Sequence, residues 1–372
     1  MTTMVRTPLA LARAASEALM AAYTPEELPP AGRWHYHQGI FLYGMLKVWE
    51  ETGEESFYGY AKAYVDLLVD RLGNLYFARD ELDSIMPGLL LFTFDQEEPE
   101  DRRYRAAAAK LRGLFGTLNR TAEGGFWHKD KYPYQMWLDG LYMGGVFAMK
   151  YEKAYGEAGL IDMVLEQERL MRKYMFDKRT GLLFHAWDES RKFPWANPET
   201  GCSPEFWGRS LGWYGMAVAD FLDELGAEHP AYSELCTVLG SFAESLIRYQ
   251  DAGSGLWYQV VDKGDREDNW LETSCTSLFV YTIAKAYRHG CVGSEAYEAA
   301  VKGFEGLANR VYVEEATGRL VVPDICIGTS AGDYTNYVTR PVHENDLHGV
   351  GAFILACMEM NRLSDLRMGG DR

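Results

Sequence analysis

A loose internal repeat runs along most of the 372 residues and restricts the possible architectures more than any single motif does. Each copy has a Gly-containing turn, a short apolar-aromatic stub, a polar loop, and then a helix rich in Gly and aromatics. "EGGFWHKD" leads into "YQMWLDGLYMGGVFAMKYEKAYG", and "TGLLFHAWD" into "PEFWGRSLGWYGMAVADFLDELG". "GSGLWYQVVD" leads into "NWLETSCTSLFVYTIAKAYRHG", and "TGRLVVPDICIG" into "HENDLHGVGAFILACMEM". Upstream, "WHYHQGIFLYGMLKVWEETG" and "RLGNLYFARDELDSIMPGLLLFTF" are less complete copies. Period-two alternation is rare and short, whereas helical spacing is frequent. In "EDRRYRAAAAKLRGLFGTL", Ala107, Leu111 and Leu114 share one face and the charges the other.

Six such units, each with a second, more charged helix, predict about twelve helices and an all-α, (α/α)6 toroid (a six-hairpin barrel). Its inner helices line a bowl and its loops form the rim. An irregular α-solenoid is the alternative, but a solenoid spreads polar residues along an open surface, and here they gather in the loops. Aromatics on more than one face of the inner helices also favour closure. No Pro/Ser-rich linker divides the chain, so residues 1–372 read as a single catalytic domain ending in a short, flexible C-terminal tail.

Acidic residues outnumber basic ones, 54 to 37, for a net charge of −17. That balance argues against nucleic acid and anionic membranes as partners, which call for clustered Lys and Arg. A negatively charged ligand must be met by local cations. The six cysteines are scattered with no CxxC, which reads as buried small hydrophobes in a reducing compartment. The opening "MTTMVRTPLALARAASEALMAAY" is amphipathic, with Arg13 in its middle, and so reads as a first helix instead of a signal peptide. With no apolar run long enough for a bilayer, a cytoplasmic location is expected.

The stretch "KYPYQMWLDGLYMGG" places Asp139 among Trp137, Leu138, Leu141, Tyr142 and Met143 where a helix begins. Either this carboxylate caps the helix, or it is an acid in a poorly solvated pocket, where burial raises its pKa. Asp83, in "DELDSIMPG", precedes an apolar helix start in the neighbouring repeat, and a pair of carboxylates would raise that pKa further. Glu205, Glu272, Glu344 and Asp346 also stand at helix starts, where first-turn acids commonly favour the helix dipole. Among cations, Arg209 lies between Trp207 and Trp213, His128 and Lys129 follow Trp127, and His185 sits in "FHAW". Arg209 is suited to a bidentate hold on a carboxylate, or to a structural stack on Trp. Metal spacing is missing: His35 and His37 are two apart, and "HENDLH" separates His343 and His348 by five, not the four of HExxH. The glycines of "YMGGVF" fit close helix packing better than a phosphate cradle.

Taken together, "YQMWLDGLYMG", "FWGRSLGWYGMA", "WHYHQGIFLYG" and "FHAWD" resemble the unsaturated rhamnogalacturonyl hydrolases, glycoside hydrolase family 105. The likeness runs from about Trp34 to Met360. It implies an (α/α)6 barrel and a substrate left by a pectin lyase, a disaccharide with a C4=C5 double bond in its non-reducing uronic acid. It further implies that an acid protonates C4 and that water adds at C5. Asp139 would then be the proton donor and Asp83 its partner. Arg209 and Trp213 match positions that hold the uronate. Tyr36, His37, His128, Lys129, Tyr132, His185, Thr329 and Ser330 would complete the substrate site. No metal or cofactor is implied, and the partner is a small unsaturated disaccharide, bound by a monomer or weak homo-oligomer. Rival readings are an unsaturated glucuronyl hydrolase acting on glycosaminoglycan fragments, a sugar 2-epimerase with facing histidines, and a non-catalytic helical scaffold.

Overall fold

The computed structural model describes residues 6–370, the side chains of 367–370 excepted. The first five residues of the amphipathic opening lie outside the described ones, and so do the last two of the expected tail. Among the described residues no helix is long and apolar enough to cross a membrane.

Six helices form a closed inner ring: α2 (Tyr36–Thr52), α4 (Leu89–Glu97), α6 (Asp139–Tyr155), α8 (Gly208–Leu225), α10 (Thr273–Arg288) and α13 (Leu347–Gly370). Each packs on the next, and α13 returns to α2. Outside them lie α3 (Glu55–Leu68), α5 (Arg103–Gly113), α7 (Leu160–Met175), α9 (Tyr232–Ile247) and α11 (Ser294–Arg310), each against its inner partner. The sixth outer place is taken by the first helix, α1 (Pro8–Ala22), which packs on α13 and so joins the two ends of the chain. The expected (α/α)6 toroid is the observed fold.

Burial accounts for the two kinds of helix. In α10 every residue from Thr273 to Ala286 is buried, because neighbouring helices and the barrel interior surround it. In α7 the buried set includes Leu160, Val164, Gln167, Met171 and Met175, a single face at helical spacing. Close approach in the ring requires small residues. A Cβ on Gly351 would lie 2.7 Å from the backbone of Ile40 and Phe41, and one on Gly212 would lie 2.6 Å from Leu278 Cβ. The glycines of "YMGGVF" serve the same end, Gly144 against Leu82 and Gly145 against Phe221.

Short strands appear only in the loops. β1 (Gln135–Trp137) pairs antiparallel with β2 (Ala186–Asp188), and β3 (Tyr312–Val313) with β4 (Leu320–Val321). β5 (Ile325–Cys326) pairs with β6 (Val342–His343), and the short α12 (Tyr334–Val338) sits between them. One expectation is corrected. Cys202, Cys275, Cys326 and Cys357 are free and buried, but Cys236 and Cys291 form a disulfide. The helix α9 runs so close to the turn after α10 that a Cβ on its Gly240 would meet the Cys291 carbonyl. Sequence spacing of 55 residues gives no hint of that approach.

Candidate active site

The N-terminal ends of the inner helices converge at one end of the toroid, around a cavity of about 340 Å³. Their N–H groups and dipoles add positive potential at this end, which favours an anionic ligand there over the opposite end. Four stretches of chain supply most of the wall. His35, Tyr36 and His37 come from the start of α2, Asp83 from the turn before α4, and His128, Lys129, Lys131 and Tyr132 from the loop before β1. Gly328, Thr329, Ser330 and Arg340 come from the loop around α12. Trp137, Asp139, Met143 and Trp207 complete the lining.

The β1–β2 ribbon brings the central groups together. Its register sets Trp137 opposite Ala186, and Leu138 N–H donates to the His185 carbonyl at 3.0 Å. Asp139 is thereby delivered beside His185, with its Oδ2 3.3 Å from His185 Nε2. The atoms are out of line for a hydrogen bond, and neither has another partner. Asp139 does not cap α6, whose N-cap position, Leu138, carries no side-chain bond. On the far side of His185, Nδ1 meets the Tyr337 hydroxyl at 2.8 Å, and that hydroxyl accepts from Gly332 N–H at 3.1 Å. Trp137 is flanked by stacked rings, His128 at 4.5 Å and Tyr132 at 4.6 Å.

The electrostatics differ from the expected carboxylate pair. Burial pushes the Asp83 carboxyl up, but Lys129, His128 and His35 hold it well below the ordinary value. Lys129 pairs with it directly, and His35 Nε2 lies 3.4 Å away. Burial likewise pushes Asp139 up, yet the adjacent His185 and then the charge of His128 bring it below its ordinary value. The expectation that Asp139 rests protonated is therefore corrected. Its neighbours are histidines, and His128, whose Nε2 lies 3.7 Å from Asp83 Oδ1, feels the charge of both acids. Burial itself lowers His128 to about 4.

Three expected residues lie behind the wall. Arg209 is fully buried over the Trp207 ring. Its two terminal nitrogens donate to the carbonyls of Cys326 and Ile327. Trp213 stacks on Tyr142 at 5.3 Å, and His185 touches the site through Asp139. Glu272 does cap α10, accepting from Cys275 N–H, and also accepts from Cys326 N–H. Sequence reasoning missed His35, Lys131, Trp137 as a wall residue, and Arg340, whose Nε donates to Thr329 Oγ1 at 3.2 Å. The one available signal for Arg340 was its place in the same inter-strand loop as Thr329 and Ser330.

A closed helical toroid with carboxyl groups, histidines and aromatic faces gathered at one mouth defines a carbohydrate-active hydrolase, since sugars present both apolar faces and hydroxyls. The comparisons agree. The chain matches Glycosyl Hydrolase Family 88 over residues 11–364 and belongs to that family. It is 34% identical to a family 105 glycoside hydrolase of C. acetobutylicum ATCC 824, with a TM-score of 0.89 over 94% of this chain and 99% of that one. It is 26% identical over 250 residues to the unsaturated rhamnogalacturonyl hydrolase YesR of Bacillus subtilis, covering 66% of this chain and 68% of YesR. Protein Atu3128 of Agrobacterium fabrum is 34% identical over 230 residues, which cover 58% of this chain and 97% of that protein. The unsaturated glucuronyl hydrolase of Bacillus sp. GL1 shares the fold, with a TM-score of 0.71 at 12% identity. The chain is a glycoside hydrolase.

Proposed function

We propose that this glycoside hydrolase releases the 4-deoxy-C4=C5 galacturonyl residue from rhamnogalacturonan disaccharides. The observation that carries the reading is Asp139 on the cavity wall, its side chain largely buried and backed by His185, in a mouth that also holds Lys131 and Arg340. An enol ether is cleaved by protonating carbon. Asp139 transfers its proton to C4, and the positive charge spreads over C5 and the ring oxygen. Water adds at C5 and returns a proton to Asp139. The resulting hemiketal opens to a ketone at C5, which leaves a hemiacetal at C1, and its collapse frees the second sugar. His185 steadies the Asp139 carboxylate while the proton is away.

Asp83 is the anchor of this reading and not a second acid. Bound to Lys129 and His35, it stays ionised and can accept from a sugar hydroxyl. Arg340 and Lys131 are the cations best exposed to a uronate carboxylate, with Arg340 held at its bonds to Thr329 and Gly328. Trp137 and Tyr132 offer faces for the apolar side of a sugar ring. The test follows the double bond's ultraviolet absorbance on lyase digests of rhamnogalacturonan, polygalacturonate and chondroitin. Loss of signal on the first alone is expected. Loss on chondroitin alone would assign the chain to glucuronyl substrates, and a flat signal on all three would end the reading.

A further inference from the structure

The segment "HENDLH" has no part in the proton chemistry above, yet α13 begins within it and sets its polar groups against the start of α2. His348 is fully buried. Its Nε2 lies 3.1 Å from the Cys326 carbonyl, which can only accept, so Nε2 carries hydrogen and the neutral ring's lone pair is on Nδ1. That Nδ1 is buried without a hydrogen-bond partner. It lies 2.8 Å from Asp346 Oδ1 without hydrogen-bond geometry. His37 Nδ1 is 3.8 Å from the same oxygen, and the three ligand atoms lie within 4.8 Å of one another. A nitrogen lone pair and a carboxylate oxygen so close repel each other unless positive charge lies between them.

We infer that His37, Asp346 and His348 form a binding site for one divalent first-row transition ion, of which zinc is the simplest case. Tetrahedral zinc with bonds of about 2.0–2.1 Å sets its ligand atoms about 3.3 Å apart, and the two measured separations, 2.8 and 3.8 Å, bracket that edge. A metal-bound histidine ordinarily donates its other ring nitrogen to a carbonyl or carboxylate, which is what Cys326 provides for His348. The other histidine–carboxylate group, His35, Glu81 and Asp83, already holds the Lys129 ammonium between its acids. Because His37 also lines the cavity, the ion's remaining positions face the substrate side, where a sugar carboxylate or hydroxyl would complete the shell.

Chelator-stripped protein titrated with zinc chloride in a calorimeter should take up about one ion per chain. Asp346→Asn and His348→Gln should each weaken uptake roughly tenfold or more, while His35→Gln leaves it unchanged. Cobalt in place of zinc should give visible absorption bands that the first two variants lose. Circular dichroism checks that each variant is folded, and Asp346, being partly exposed, carries the test if His348→Gln does not fold. No saturable zinc uptake below millimolar concentration would overturn the site and mark His348 as an imidazolium facing Asp346. Uptake undiminished in both variants would overturn it as well. Neither result bears on the hydrolase reading, because binding is measured without substrate.

Discussion

Asp139 Oδ2 and His185 Nε2 stand 3.3 Å apart, neither with another hydrogen-bond partner, and this contact sets the resting charge of the proposed acid. With its carboxyl below the ordinary value, Asp139 is ionised in the free enzyme at neutral pH. A uronate entering the cavity adds a like charge, and like charges disfavour the ionised form, so the proton is taken up as the substrate binds. Asp139→Asn should lower turnover by ~10²–10⁴-fold, the range for losing a general acid, while the disaccharide still binds. The melting temperature at pH 7 should fall slightly, because the amide gives up the attraction to His185. Absorbance assays and thermal melts on one preparation check both. A fully active variant would end the mechanism.

Tyr337 is expected to govern the tautomer of His185. Gly332 N–H donates to the phenol oxygen, leaving the phenol hydrogen for His185 Nδ1 and the ring hydrogen on Nε2, toward Asp139. Tyr337→Phe keeps the stack on Trp207 and removes only that control. Turnover should fall roughly 2- to 10-fold, the equivalent of one net hydrogen bond of ~0.5–1.5 kcal/mol, with little change in KM. The alkaline limb of the pH profile, where the proton donor deprotonates, should move upward, since Asp139 loses part of its stabilisation as a carboxylate. An unmoved profile assigns Tyr337 to loop packing alone.

The toroid was legible because its repeat is written in local signals: Gly turns, aromatic stubs and helical spacing recur in each unit. Asp139 and Asp83 stood out for a similar reason, as carboxylates inside apolar runs. What surrounds them was not legible. His37 meets Asp346 and His348 only because ring closure brings α2 against α13, and no spacing within one segment encodes that. Arg209 shows the same gap. Its two flanking tryptophans were equally compatible with a rim clamp and a buried stack. The loop carbonyls that occupy its nitrogens belong to Cys326 and Ile327, more than a hundred residues away.

The two arginines can be separated by experiment. Arg209→Lys leaves a buried carbonyl short of its donor, which costs ~1–3 kcal/mol of stability, and the melt should show it. Arg340→Gln should leave the melting temperature nearly unchanged. It should raise KM for a uronate substrate roughly 10- to 150-fold, the equivalent of a charge-assisted bond of ~1.5–3 kcal/mol. The reverse pattern, a KM effect at Arg209 and none at Arg340, would return the clamp to Arg209.

Stability should fall in two stages as pH drops. His128 titrates near 4 in the folded protein instead of its ordinary 6.5, so between those values the unfolded chain binds a proton that the folded one refuses. The unfolded state is favoured as pH falls through this window, by about 3 kcal/mol in all for His128. His37, also held low by burial, acts in the same direction. Asp83 and Asp139 have the opposite history, since their folded values lie below the ordinary 3.8. Their contribution is complete above that value and is lost only as pH falls past it. Urea melts at pH 7, 5.5 and 4.5 should therefore show a steady decline before Asp83 or Asp139 is protonated. His128→Gln, which has no proton to gain, should make that decline shallower without removing it, because His37 remains. Equal slopes in the variant and the wild type would mean that His128 is not held neutral by its burial.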